Sequence, residues 1–184
     1  MRLTALVWAT ALLAGCGGAA DIDNPEGASG QKLAFAYFQK CVQPLLSSPL
    51  TLPGGGTATC AAGGCHDNTN GTGGALRLIG SAATVDLGQT ADQIRSSEMY
   101  RNFYSAQGVT VPGNPEGSRL LAKPLLLGML HGGGLVLGSA DDELALRIRY
   151  WITHPAPKDQ DEFSSATYAM FTPADPATGT CNTR

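Results

Sequence analysis

The chain has 184 residues, enough for one ordinary domain or slightly more, and 12 Lys plus Arg against 15 Asp plus Glu give it a net charge of −3. That balance argues against a general nucleic-acid binder, which shows a basic excess. Only 15% of residues are charged, and 24 glycines and 11 prolines stay below the level of a low-complexity chain, so collagen, a coiled coil and a multi-span membrane protein are excluded and a folded, loop-rich domain is expected.

Arg2 is followed by an apolar run from Leu3 to Leu13. The run is too short for a bilayer, which needs about 20 apolar residues. A basic start, a short apolar stretch and small residues before a cut site mark residues 1–15 as a secretory signal. Its ending, Leu13-Ala14-Gly15-Cys16, resembles a bacterial lipobox. The resemblance implies that Cys16 is acylated and becomes the first mature residue. An ordinary signal peptide cut near Ala20 is the alternative. Gly17 stands where lipoproteins kept at the inner membrane carry Asp, so the resemblance leans towards the outer membrane. The expectation is an exported protein, lipid-anchored on the periplasmic side of a membrane or at the outer membrane. Such a compartment permits disulfides. Residues 16–30 are small and acidic without periodicity, and read as a flexible tether.

A domain is expected over 31–155, with a tail over 156–184. The first helix is predicted from Gln31 to Gln43, with Ser29 as a possible cap. Ala34, Phe38, Cys41, Val42 and Leu45 share one helical face, and Pro44 ends the element. Residues 47–74 are rich in Gly, Thr and Pro and show no useful periodicity. A second helix starts at Thr90, where Thr90 and Gln93 fit a capping box, with Ile94, Tyr100, Phe103 and Tyr104 as its buried side. Ser118 to Lys123 reads as a short helix stopped by Pro124. The last helix opens with the capping signature Ser139 and Asp142, and buries Leu144, Ile148, Trp151 and Ile152 before Pro155. His154, just past its end, is expected to be an exposed cation. The expected fold class is mostly α, a small helical domain with long Gly/Pro-rich loops.

The chemistry concentrates in Cys60-Ala61-Ala62-Gly63-Gly64-Cys65-His66. A c-type haem site is usually Cys-x-x-Cys-His. Two thiols bond the haem vinyl groups, and the adjacent histidine becomes the proximal iron ligand. Here the spacer is four residues rather than two, while the Cys65-His66 adjacency is kept. Two other readings stand beside it. One is a Cys60–Cys65 disulfide in a haem-free binding or structural lipoprotein. The other is a zinc site from Cys41, Cys60, Cys65 and His66, whose spacing matches no common zinc pattern.

Four segments in order resemble bacterial exported cytochrome c-like domains of the planctomycete type. They are Phe38-Gln39-Lys40-Cys41-Val42-Gln43-Pro44-Leu45-Leu46, Gly74-Ala75-Leu76-Arg77-Leu78, Pro112-Gly113-Asn114-Pro115-Glu116-Gly117-Ser118-Arg119-Leu120-Leu121 and Trp151-Ile152. The resemblance covers Phe35 to His154. It implies one covalent haem c held by Cys60 and Cys65, with His66 proximal, in a one-electron carrier that serves redox partner proteins. The family's Met-Pro-Pro segment is replaced by Met129-Leu130-His131-Gly132-Gly133-Gly134, so His131 is the first choice for the distal ligand and Met129 the alternative. With both axial positions filled, neither a small-molecule substrate nor enzyme activity is expected. Cys41 and Cys181 remain, and in an exported protein two spare cysteines most simply pair.

Overall fold

The computed structural model describes residues 30–184. The signal sequence 1–15, the acylation candidate Cys16, the alternative cut near Ala20, the candidate cap Ser29 and all of the tether except Gly30 lie outside the described residues.

The first helical run begins at Phe35 and continues to Ser47, as Phe35–Tyr37, Phe38–Val42 and Gln43–Ser47, together α1. It therefore starts four residues later than the pattern predicts and passes through Pro44. The late start has a physical cause. Leu33 donates its backbone N–H to Gln107 Oε1 at 3.0 Å, and the Lys32 carbonyl accepts from Ala156 at 2.7 Å. Partners far along the chain thus hold the backbone extended there. Pro44 is tolerated because the middle piece is a π-turn, in which the Gln43 N–H reaches back to the Phe38 carbonyl. The shifted ladder puts Pro44 in the first turn of the next helical piece, where its missing donor costs little.

Four further helices follow: α2 (Ala91–Arg95), α3 (Glu98–Gln107), α4 (Arg119–Ala122) and α5 (Glu143–Thr153). The Thr90–Gln93 capping box is present at the start of α2. Ser97 then caps α3 through the Tyr100 N–H, so the region read as one helix is two. Ile94 and Phe103 are buried and Tyr100 is half-buried, but Tyr104 is 65% exposed. Asp142, not Ser139, is the N-cap of α5. Asp142 Oδ2 instead accepts from the Ser139 N–H at 3.2 Å. Leu144, Ile148, Trp151 and Ile152 are all buried, as their spacing predicts. His154 is exposed at the end of α5.

The expectation of a mostly α, cytochrome c-like helical domain is overturned. The structure is only 32% helical and mixed, with a disulfide and two small antiparallel sheets. Leu50–Thr51 (β1) pairs with Thr57–Ala58 (β2), and Phe171–Thr172 (β3) with Thr180–Cys181 (β4). The reason lies in composition. Glycine and proline break helices within a turn or two, so much of the chain satisfies its backbone in turns and short ladders.

The core is built on α1. Phe35, Phe38, Phe103 and Trp151 pack with ring centroids 5.2–6.0 Å apart, and the Trp151 indole N–H donates to the Ala34 carbonyl at 2.9 Å. The segment after α5 closes over the other side of α1. Phe35 donates its N–H to the Glu162 carbonyl at 2.9 Å, and the Tyr37 hydroxyl donates to the Asn182 carbonyl. The Glu162 carboxylate is buried. Burial alone raises its pKa, but its own backbone N–H, the Tyr100 hydroxyl and the Arg95 guanidinium bring it below the usual carboxylate value. Cys41 and Cys181 are joined by a disulfide with Cα atoms 5.9 Å apart, as the pairing of the spare cysteines anticipated.

Candidate functional site

The stretch from Cys60 to His66 is a tight wrap closed by its own backbone. Cys65 N–H donates to Ala62 O and His66 N–H to Cys60 O, both at 2.9 Å. The chain then turns at 67–74 and returns alongside itself. Leu78 N–H donates to His66 O at 2.7 Å, Asn68 N–H to Leu78 O at 2.9 Å and Gly73 N–H to Cys65 O at 2.7 Å. Helix α3 pins the returning strand. Asn102, 1% exposed, exchanges two hydrogen bonds with the Ile79 backbone, and Ser105 Oγ accepts from the Arg77 N–H at 2.7 Å.

This wrap orients His66. Its Nδ1 lies 3.2 Å from the Leu76 carbonyl. A carbonyl can only accept, so Nδ1 carries the proton and Nε2 keeps its lone pair. Burial holds the pKa of His66 below its ordinary value, so the ring is neutral at pH 7, the form a metal ligand needs. Gly71 and Gly73 are required by the close approach. A Cβ at Gly73 would overlap His66 Nδ1 and stand 2.7 Å from the Cys65 carbonyl oxygen. Gly73→Ala is therefore expected to push the ring off Leu76 and to cost about 1–3 kcal/mol of stability. Nitrogen chemical shifts of His66 and a urea titration would check both effects. Unchanged shifts would show that the wrap yields elsewhere.

His131 occupies a separate loop, 65 residues further along the chain. Its Nδ1 lies 2.9 Å from the Gly134 carbonyl, which again leaves Nε2 free. The two imidazole centroids are 6.1 Å apart, and their planes differ by only 9°. Each Nε2 therefore keeps a lone pair, with which the two neighbouring rings could hold one metal ion. Met129 lies two residues from His131 and is half-buried between Gly128 and Leu130.

Cys60 and Cys65 are free thiols and both are partly buried. Burial, followed by the neighbouring Cys65, pushes the Cys60 pKa up to about 11. It therefore stays a neutral thiol at pH 7. The zinc reading loses Cys41 to the disulfide. Among the described residues no group of three or more His, Cys, Asp or Glu is arranged to hold a metal ion. The Cys60–Cys65 staple of the haem-free reading is not formed.

The loop that carries His131 is apolar at its surface. Leu126, Leu127, Leu130 and Leu135 are exposed, Leu130 by 91%, and all four lie in the loop that carries His131. Exposed large apolar side chains gathered in one loop are the signature of a surface meant to be covered. The donor types, the ring geometry, the free thiols and this apolar lip together fit a haem.

Sequence reasoning missed the supporting residues Asn102, Ser105, Gly71 and Gly73. The glycines left a signal in Asn70-Gly71-Thr72-Gly73-Gly74, which stands just after a motif histidine. The carbonyls of Leu76 and Gly134 left none, because every residue has one. No protein-family model matches the chain, and neither curated proteins nor solved structures show any similar to it.

Proposed function

We propose that this protein transfers single electrons through one covalently held c-type haem. Cys60 and Cys65 would hold the haem covalently, and His66 and His131 would hold its iron through Nε2. The observation that carries the reading is the His66–His131 pair, 6.1 Å apart with planes 9° from parallel. The haem supplies the redox couple. The chain supplies its orientation and its surroundings.

Each residue then has a physical task. The Leu76 and Gly134 carbonyls fix the tautomers of the two histidines and raise their basicity as ligands. The wrap 66–78, held by Asn102 and Ser105, keeps His66 still during electron exchange. Leu126, Leu127, Leu130 and Leu135 exclude water from the haem face, which lowers the local dielectric and tunes the potential. Two histidine ligands place that potential below that of a Met/His pair. With His66 and His131 both holding the iron, the chain would act as a carrier between redox partner proteins rather than on a substrate.

The same reading includes export and acylation at Cys16, so that the carrier works at a bilayer surface. Each buried lipid methylene contributes about 0.8 kcal/mol, and several acyl chains together anchor firmly. Among the described residues no helix is long and apolar enough to cross a membrane. The lipid is therefore the anchor in this proposal.

The test is a reduced-minus-oxidised visible spectrum of protein exported together with cytochrome c maturation machinery, followed by denaturation in alkaline pyridine. One haem per chain that stays attached after denaturation is the expected result. A colourless preparation, from a host that matures other c-type cytochromes, would remove electron transfer from the reading.

A further inference from the structure

We propose that the loop carrying His131 seats the domain on an anionic lipid bilayer, with Leu126, Leu127, Leu130 and Leu135 entering the headgroup region and Arg119 and Lys123 meeting lipid phosphates. The inference rests on the anchored part of the reading above and does not depend on the haem. It comes from the way apolar and charged side chains are sorted along residues 117–140.

Among the described residues, the exposed large apolar side chains are Tyr104 and these four leucines. Single scattered exposures are ordinary, but here all except Tyr104 fall within residues 126–135. Leu130 is 91% exposed, against 40–45% for the other three, so it stands out furthest. The ends of the loop are fixed. Leu125 and Leu137 are buried, and the Pro124 carbonyl accepts from Val136 at 3.0 Å and from Leu137 at 3.1 Å. The leucines are therefore held up on a clamped stem, not on a loose end. Such a loop has two sides, so shielding His131 and meeting a bilayer are compatible.

Charge is sorted in the same place. The chain has 15 Asp plus Glu, yet none lies between Gly117 and Ala140. The Lys and Arg residues of that stretch are Arg119 and Lys123, both exposed. Neither forms a salt bridge among the described residues. Glu116, the acidic residue just before the stretch, is taken up by Arg149. Exposed leucines beside unpaired cations suit an interfacial site, where methyl groups reach the acyl boundary and the cations meet anionic headgroups.

A bilayer matches the loop better than a protein partner does. Protein interfaces draw most of their energy from Trp, Tyr and Arg, and Leu is under-represented among their hot spots. Residues 124–137 carry no Phe, Tyr, Trp or Arg. The loop forms neither helix nor strand, so its backbone is not paired throughout and it can enter only to headgroup depth, where water remains. The bilayer is also within reach. Residues 16–30 span at most about 50 Å when extended. A domain of this size is about 40 Å across. A domain anchored through Cys16 can thus turn any face to the surface, and the apolar loop selects which.

The experiment places the full exported chain on vesicles of phosphatidylethanolamine and phosphatidylglycerol with brominated acyl chains, which quench tryptophan at the depth of the bromines. The added emission of Leu130→Trp is expected to fall by about half or more, and that of Tyr104→Trp, exposed on α3, to stay unchanged. Replacing Arg119 and Lys123 together by Gln, or raising the salt, is expected to weaken the quenching of Leu130→Trp about twofold or more. Mass spectrometry of the mature N-terminus reports acylation separately. If Cys16 is acylated but Leu130→Trp is quenched no more than Tyr104→Trp, this inference falls, the leucines pass to a protein partner and the anchored-carrier reading stands. If Cys16 is not acylated, the anchor of that reading falls, and flotation of the wild-type chain with the same vesicles judges the loop alone. Flotation that Leu130→Asn abolishes upholds the inference; flotation that is absent, or that Leu130→Asn leaves unchanged, overturns it. A dimer cross-linked on the vesicles by wild type and not by Leu130→Asn would show that a second copy covers the loop, and would overturn it too.

Discussion

Replacing Cys41 and Cys181 together by alanine is expected to lower the unfolding free energy by about 4–5 kcal/mol. The bridge spans a sequence separation of 140 residues, and cross-linking a loop of that length removes on the order of 4–5 kcal/mol of chain entropy from the unfolded state. Alanine is preferred to serine because Cys41 is fully buried and a hydroxyl there would need a partner. Domains of this size are stable by only about 5–15 kcal/mol, so the loss removes a large share of the total. Urea denaturation of both proteins in oxidising buffer measures it, and wild-type protein under reductant should behave like the double variant. A loss under about 1 kcal/mol would mean that the unfolded chain is held together by something other than the bridge.

If the chain holds haem as proposed, exchanging His131 for methionine is expected to raise the reduction potential by on the order of 100–300 mV, because a thioether stabilises the reduced iron relative to an imidazole. The wild-type ring makes one hydrogen bond, to the Gly134 carbonyl, so a flexible methionine side chain can replace it without rebuilding the loop. Met129→Leu serves as the control, and its potential and visible spectrum should match those of wild type. Spectroelectrochemical titration of the three proteins decides the matter. If Met129→Leu shifts the spectrum and His131→Met does not, the axial assignment passes to Met129.

What was legible in the sequence was local. Thr90 and Gln93 lie three residues apart and cap the same turn, so their box is visible in one short window. Leu144, Ile148, Trp151 and Ile152 repeat at helical spacing and are buried together for that reason. The boundary of α1 was not legible. It depends on Gln107 and Ala156, which hold residues 32 and 33 extended, and on a π-turn that accommodates Pro44. The helical fold class failed for a related reason. Strong periodicity in α5 says nothing about the long Gly-rich segments, which resolve into turns and two-residue strands. Tyr104 fits the apolar spacing of α3 yet faces solvent, since spacing gives a phase and not a neighbour. At the candidate site, cysteines and histidines stand out by type. The approach of His131 to His66 does not, because it is set by two loops that share no sequence pattern.

Three partners of α1 lie at residues 162, 181 and 182, near the far end of the described chain. A polypeptide is made in order, so Cys60, Cys65 and His66 emerge about a hundred residues before Glu162 and Asn182 do. Until those late residues arrive, Phe35 lacks its backbone acceptor, Tyr37 lacks its own, and Cys41 lacks Cys181, its partner in the disulfide. Tertiary closure therefore waits on the last segment to be delivered. In the interval the Cys60–His66 segment is an accessible peptide, open to covalent modification before the wrap around His66 shuts. A chain cut short before residue 162 would prolong that interval without limit, and so would separate the timing of modification from the timing of folding.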